Sequence, residues 1–278
     1  MEKEKKDRIF LFVFRFISLI IIIFCLFLLY NWNLENKANA AIADSLVADS
    51  TTEEVISISS LNADSQTENS NTINENPIDK LNVKIAKPNF DELIAKNDKT
   101  VGWIMINNTN INYPIVQSNN NSYYLKHNFN KESNSAGWIF ADYKNSFGTL
   151  DDNTIIYGHN RRNNTMFSSL RQYLEPSFYT NEENKYFSFS TKNDSYIGEV
   201  FSVYKANSNS LEFTNLFSST KDFENFLKDS IARSINNFNT EVTTSDKIIT
   251  LCTCDNNNLF RIVVHAKLIP INSSVKEN

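Results

Sequence analysis

Between Val101 and Ile269 the chain sets short apolar stretches between polar punctuation. GWIMINNTNINYPIVQ, GWIFADY, NTIIYGH, YFSFST, YIGEVFSVYKA, DKIITLCTC and FRIVVHAKLI are rich in Ile, Val, Tyr and Phe, and Asn, Asp, Ser and Gly clusters separate them. β-branched and aromatic side chains suit a pleated, half-buried surface, and the small polar residues suit turns, so each stretch predicts a strand. Many short strands with few helical interruptions predict an all-β sandwich or barrel. A short helix opens the folded domain ahead of this series, and one clear helix interrupts it. NFDELIAKN has acidic residues early and Phe90, Leu93 and Ile94 at helical spacing. SSTKDFENFLKDSIARSI puts Phe223, Phe226, Leu227, Ile231 and Ile235 on one face, with Ser219 and Asp222 at capping-box spacing. A single amphipathic helix packed on a barrel is the simplest arrangement.

The pattern changes at the N-terminus. From Ile9 to Tyr30 the chain is apolar except for Arg15 and Ser18, and as a helix this run would reach about 33 Å, enough to cross a bilayer core. It predicts one transmembrane signal anchor over residues 9–31. Lys3, Lys5, Lys6 and Arg8 outweigh Lys37 beyond the span, which places residues 1–8 in the cytoplasm and the bulk of the chain outside. The competing reading is a cleaved signal peptide with Ala38-Asn39-Ala40 as its site, but that triplet lies well past the apolar run. Residues 32–84 contain NADSQTENSNTINENP, with too little apolar surface to offset the entropy of ordering. They are expected to form a flexible extracellular stalk, followed by a folded domain over residues 85–272 and a C-terminal tail at 273–278.

Composition narrows the function. A hydrophobic content of 41% supports a packed core, and a net charge of -5 without a long Lys/Arg run argues against nucleic acid. Of the three cysteines, Cys25 lies in the apolar run, leaving Cys252 and Cys254. One C-x-C pair is not a disulfide framework, so the core must hold the domain.

In DKIITLCTC, alternation puts Ile248, Thr250, Cys252 and Cys254 on one face and Ile249, Leu251 and Thr253 on the other. Both faces are apolar or small, which predicts a central strand. After a turn at 255–258, FRIVVHAKL returns, and an antiparallel hairpin would set Arg261 beside Cys254. His159 ends another short buried strand, after a glycine that permits a tight departure. Cysteine, histidine and arginine at three strand ends would supply a nucleophile, a proton-transfer group and a cation for a developing oxyanion.

The same segments resemble the sortases, and more narrowly class B sortases. VGWIMINNTNINYPIVQ, the YYL of NNSYYLKHNFN, AGWIFADY, IIYGHN, MFSSL and TLCTC with Arg seven residues on are similar to that family's segments in the same order. Cys252 stands where the family's TLxTC motif often has serine. The resemblance implies a mainly β protein: a sortase-like closed β-barrel with a few peripheral helices, preceded by one transmembrane helix. It implies a cysteine transpeptidase without cofactor or metal on the outer face of a bacterial membrane. The enzyme would cleave a sorting signal near the C-terminus of secreted proteins after Thr, then join them through a thioester to an amine of a peptidoglycan precursor. It assigns the nucleophile to Cys254, the acid/base to His159 and the oxyanion cation to Arg261.

Blander assignments stand beside these. Cys252 is expected to pack, since a disulfide with Cys254 would span i, i+2 at the upper limit of bridging distance. Zinc on Cys252, Cys254 and a histidine lacks a second ligand pair. His265 is expected to be a buried histidine bonded to a backbone group, although alternation lets it face the cleft, and His127 to be a solvated polar residue. A non-catalytic surface-binding module that kept the barrel, or a thiol hydrolase, is the alternative function.

Overall fold

The computed structural model describes residues 2–58, 82–208, 211–254 and 259–271; the expected tail and the 255–258 turn lie outside them. Helix α1 (Glu2–Ser50) is continuous. Strands β1 (Thr51–Ser57) and β2 (Asn82–Pro88) pair antiparallel, from Thr51 opposite Pro88 to Ser57 opposite Asn82. A short helix α2 (Phe90–Lys96) follows, its first turn capped by the Asn89 side chain, which accepts from the Glu92 N–H. The rest is built on β3 (Thr100–Met105), β4 (Asn112–Gln117), β5 (Phe140–Ala141), β6 (Asn153–Gly158), β7 (Tyr186–Thr191), β8 (Ser195–Asn207), β9 (Lys247–Cys254) and β10 (Phe260–Pro270), with α3 (Thr220–Arg233) between β8 and β9.

The eight strands β3 to β10 close into one barrel in the order β10-β8-β7-β3-β4-β5-β6-β9. Every stretch that alternation marked as strand contributes to it, and closure removes the open sheet edges on which chains associate. Strand β9 is central, between β6 and β10. It runs parallel to β6, with Tyr157 opposite Cys252 and Gly158 opposite Thr253, and antiparallel to β10, with Arg261 opposite Cys254. Alternation decides what each side of β9 meets. Ile249 and Leu251 join the main core with Trp103, Ile115, Phe189 and Val203. On the other side, Ile248 packs against Phe201 and against Phe223 and Leu227 of α3, and Cys252 packs with Tyr204 and Val263.

Helix α3 begins at Ser219, whose Oγ accepts from the Asp222 N–H at 3.1 Å and donates to the Asp222 carboxylate at 2.8 Å. The predicted N-cap is therefore present, although the Asp222 carboxylate takes the Ser219 hydroxyl hydrogen rather than the Ser219 backbone N–H of a full capping box. Its buried face is Phe223, Leu227 and Ser230, whereas Ile231 and Ile235 are exposed. The apolar stripe expected to include both isoleucines thus turns away from the barrel at its C-terminal end.

Over the first half of the expected flexible stalk the structure shows regular elements instead. Residues 32–50 continue α1, and residues 51–57 form a strand. Asn36, Asn39, Ala43, Leu46 and Ser50 are buried, a spacing of three and four residues that places them on one helical face. That face rests on the barrel domain, and Ala43 and Leu46 belong to the main core. The middle of the expected stalk, 59–81, lies outside the described residues.

Candidate active site

The parallel pairing of β6 and β9 brings two C-terminal strand ends side by side, and β10 starts next to them. His159 is the first residue beyond β6, one step past the Gly158–Thr253 pair, while Cys254 closes β9 opposite Arg261. All three residues expected to form the site therefore sit on neighbouring strand ends. The Cys254 side chain lies outside what the structure describes.

These ends open into a cleft of about 590 Å³. Tyr157, His159 and Arg261 line it from the barrel, Asn121 and Leu125 from the segment before β5, and Leu211, Glu212 and Phe213 from the segment after β8. Gly158 is required for closeness rather than for a special backbone angle: a Cβ there would lie 2.5 Å from Ile139 Cδ1 and 2.8 Å from the Phe167 ring. Gly137 has the opposite reason, a positive φ of 59° that side chains disfavour. A Cβ on Gly137 would also approach the His159 ring to 3.0 Å.

The half-buried His159 ring is oriented by a backbone group. Its Nε2 lies 2.9 Å from the Leu125 carbonyl, and because a carbonyl only accepts, Nε2 carries the hydrogen and Nδ1 is left for proton transfer. Burial pushes the imidazole below the ordinary value of 6.5, the Leu125 bond opposes that shift, and the Arg161 and Arg261 guanidiniums add to it. Arg161 is itself clamped. It donates to the Ser135 carbonyl at 2.9 Å and to the Asn36 Oδ1 of α1 at 2.8 Å, and lies over the Trp32 ring. Asn39 of α1 donates to the Gly137 carbonyl at 3.0 Å. Helix α1 thus touches the loop and the cation that flank the candidate acid/base.

Along the cleft, the Tyr157 hydroxyl donates to the Asp142 carboxylate at 3.1 Å, which also accepts from Asn121 at 2.7 Å and from the Lys144 N–H at 2.9 Å. Burial first, and Asp142 second, raise the Tyr157 phenol, so it remains a neutral donor. Sequence reasoning missed Leu125, Asp142, Arg161 and the Leu211–Phe213 wall. Alternation around Tyr157 was the only available signal for any of them.

Cys252 is buried and packs, as expected. His265 is buried, but its partners are the Thr250 and Tyr204 side chains rather than a backbone group. His127 is not simply solvated: its ring stacks on Tyr123 at 4.0 Å, and Nδ1 lies 2.7 Å from the Tyr123 carbonyl.

The family model of the sortase domain matches residues 104–269. The chain belongs to the sortase family. Among curated relatives, this sortase is 40% identical over 181 residues to sortase B of Listeria monocytogenes, covering 64% of this chain and 73% of that one. It is 38% identical over 188 residues to sortase B of Staphylococcus aureus, covering 66% and 76%. The solved sortase B of Bacillus anthracis in complex with AAEK1 superposes with a TM-score of 0.68 at 33% identity, covering 87% of this chain and all of that one (100%). A Staphylococcus aureus sortase B–substrate complex gives 0.63 at 37% identity, covering 66% and 86%. The narrower resemblance to class B agrees with these relatives, and the substitution of Cys252 within TLxTC has not changed the class.

Proposed function

We propose that this sortase is a membrane-anchored cysteine transpeptidase in which Cys254, His159 and Arg261 do the chemistry. The observation that carries the proposal is the strand register, which sets Arg261 opposite Cys254 and His159 at the neighbouring strand end. His159 Nδ1 takes the proton of the Cys254 thiol, the resulting thiolate attacks the carbonyl of a threonine in the sorting signal, and the Arg261 guanidinium, a fixed planar donor, holds the tetrahedral oxyanion. As the intermediate collapses, the peptide bond breaks. The leaving amine takes a proton from the imidazolium of His159, and a thioester remains on Cys254. An amine of a cell-wall precursor then attacks the thioester, His159 accepts its proton, and the thiolate is released with a new amide bond formed. Residues 9–31 hold the enzyme in the membrane, with residues 1–8 cytoplasmic and the domain from residue 85 outside.

The test incubates the full chain in detergent with proline- and threonine-containing peptides and amine acceptors, and identifies products by mass. Cleavage after Thr with amide formation is expected. Cys254→Ala should abolish both, and Cys252→Ser should retain most activity because Cys252 is a packing residue. Equal loss in the two variants would defeat the single-nucleophile assignment. Water as the sole acceptor would make the protein a hydrolase.

A further inference from the structure

Behind the cleft, four buried side chains on β6, β8, β9 and β10 form one continuous chain of hydrogen bonds. Tyr204 Oη lies 3.0 Å from His265 Nε2, His265 Nδ1 lies 2.8 Å from Thr250 Oγ1, and Thr250 Oγ1 lies 2.7 Å from Asn153 Oδ1. Asn153 Nδ2 then reaches the Thr214 carbonyl at 3.0 Å. His265, Thr250 and Asn153 are all fully buried at 0% exposure, so water cannot substitute for a missing partner.

The far end of the chain fixes the direction of every bond. The Thr214 carbonyl only accepts, so the Asn153 atom facing it is the amide nitrogen, and Asn153 Oδ1 faces Thr250. That oxygen also only accepts, which commits the Thr250 hydroxyl hydrogen to it. Thr250 can then only accept from His265, so Nδ1 carries the imidazole hydrogen. Nε2 is left as a lone pair, and it takes the hydrogen of the Tyr204 hydroxyl. Donation runs from Tyr204 through His265, Thr250 and Asn153 to the backbone of Thr214.

Both ends of this chain meet the same segment. Leu211 and Phe213 pack against the cluster that contains Tyr204, and Thr214 follows directly as the final acceptor. The Asn153 N–H also donates to the Asn215 carbonyl at 3.0 Å. Leu211, Glu212 and Phe213 have the catalytic cleft on one side and a second cavity of about 490 Å³ on the other. A wall with open space behind it is not held by packing alone.

We infer that Tyr204, His265, Thr250 and Asn153 are positioning residues that pin the Leu211–Phe213 wall and thereby set the affinity of the cleft for the sorting peptide. The inference rests on the proposed function for its effect on peptide binding, but the pinning is measurable without it. None of the four is a catalytic residue, since they act on the substrate only through the wall.

Two nearly isosteric variants break the chain without opening the core: Thr250→Val and Tyr204→Phe. Thr250→Ser keeps the hydroxyl and serves as the rescue. In the full chain in detergent, amide hydrogen exchange at residues 211–217 should be at least about tenfold faster in Thr250→Val and Tyr204→Phe. Thr250→Ser should match the parent. The Michaelis constant for the peptide should rise at least about tenfold in the same two variants with turnover at saturation kept within about twofold, because only binding of the substrate has been weakened. Unchanged exchange at 211–217 in a folded Thr250→Val protein would overturn the pinning. Faster exchange with an unchanged Michaelis constant would overturn its role in binding. A parent chain that processes no peptide would refute the proposed function, and the exchange comparison would still decide the pinning.

Discussion

At the scale of single residues, the site depends on which atoms are left available. Arg261 lies opposite Cys254 on the adjoining strand, and as a guanidinium it offers fixed planar donors that lysine lacks. Arg261→Ala is expected to lose about a hundred- to a thousandfold in turnover, and Arg261→Lys to recover only a minor part. Steady-state kinetics check this, and near-normal turnover in Arg261→Ala at saturating peptide would remove it from oxyanion stabilisation. Burial pushes the His159 imidazole below its ordinary value, and the Arg161 charge adds to the shift. The acid limb of kcat/KM should therefore lie below 6.5. In Arg161→Gln one cation is gone, the imidazolium costs less to form, and the limb should move to higher pH. A pH–rate profile of both proteins decides it, and an unmoved limb would show that Arg161 does not act on His159. The positions of Cys254, His159 and Arg261 at neighbouring strand ends were legible in the sequence because each ends or begins a strand with a clear apolar pattern, while the roles proposed for them come from the family resemblance. Leu125 and Arg161 were not, because a backbone carbonyl has no side-chain signature and an arginine in a loop does not reveal what it will face.

At the scale of elements, the alternation of β3 to β10 was readable because each strand buries at least one apolar face. Strand β2 alternates Val83 and Ile85 inward in the same way but is short and follows a long polar tract, which hid it. The docked part of α1 escaped notice for a different reason. Its inward face is Asn36, Asn39, Ala43, Leu46 and Ser50, a helical spacing written mostly in small and polar residues, so hydrophobicity alone cannot reveal it. The docking has an energetic consequence. Leu46 is 2% exposed, and truncating a leucine buried to that extent costs about 2–5 kcal/mol. Leu46→Ala should accordingly lower the unfolding free energy of the domain by that amount in denaturant titrations. A flexible stalk would give no change.

At the scale of the whole molecule, the buried histidine behind the cleft couples stability to acidity. Burial pushes His265 down to about 3, with the Arg233 cation contributing in the same direction; its other polar neighbours, Tyr204 and Thr250, are neutral. In the unfolded chain the same imidazole binds a proton near 6.5, so between these values the unfolded state holds more protons than the folded one. Stability is complete above 6.5 and is lost as pH falls toward 3, with a slope approaching about 1.4 kcal/mol per pH unit for this one group. Chemical denaturation between pH 5 and 6.5 should show it, and His265→Phe should flatten it. An unaltered slope in that variant would assign the effect elsewhere. The unbroken α1 carries a consequence of another kind. If, as proposed, residues 9–31 lie in the bilayer, the eight residues from Trp32 to Asn39 rise only about 12 Å before the helix grips the loop beside His159. A random-coil leash would let the cleft roam a wide hemisphere, whereas a mast fixes its altitude. On the proposed anchoring, the enzyme would search in two dimensions close above the lipid, and polypeptides still held at the membrane would encounter it at a far higher effective concentration than the same signal drifting free.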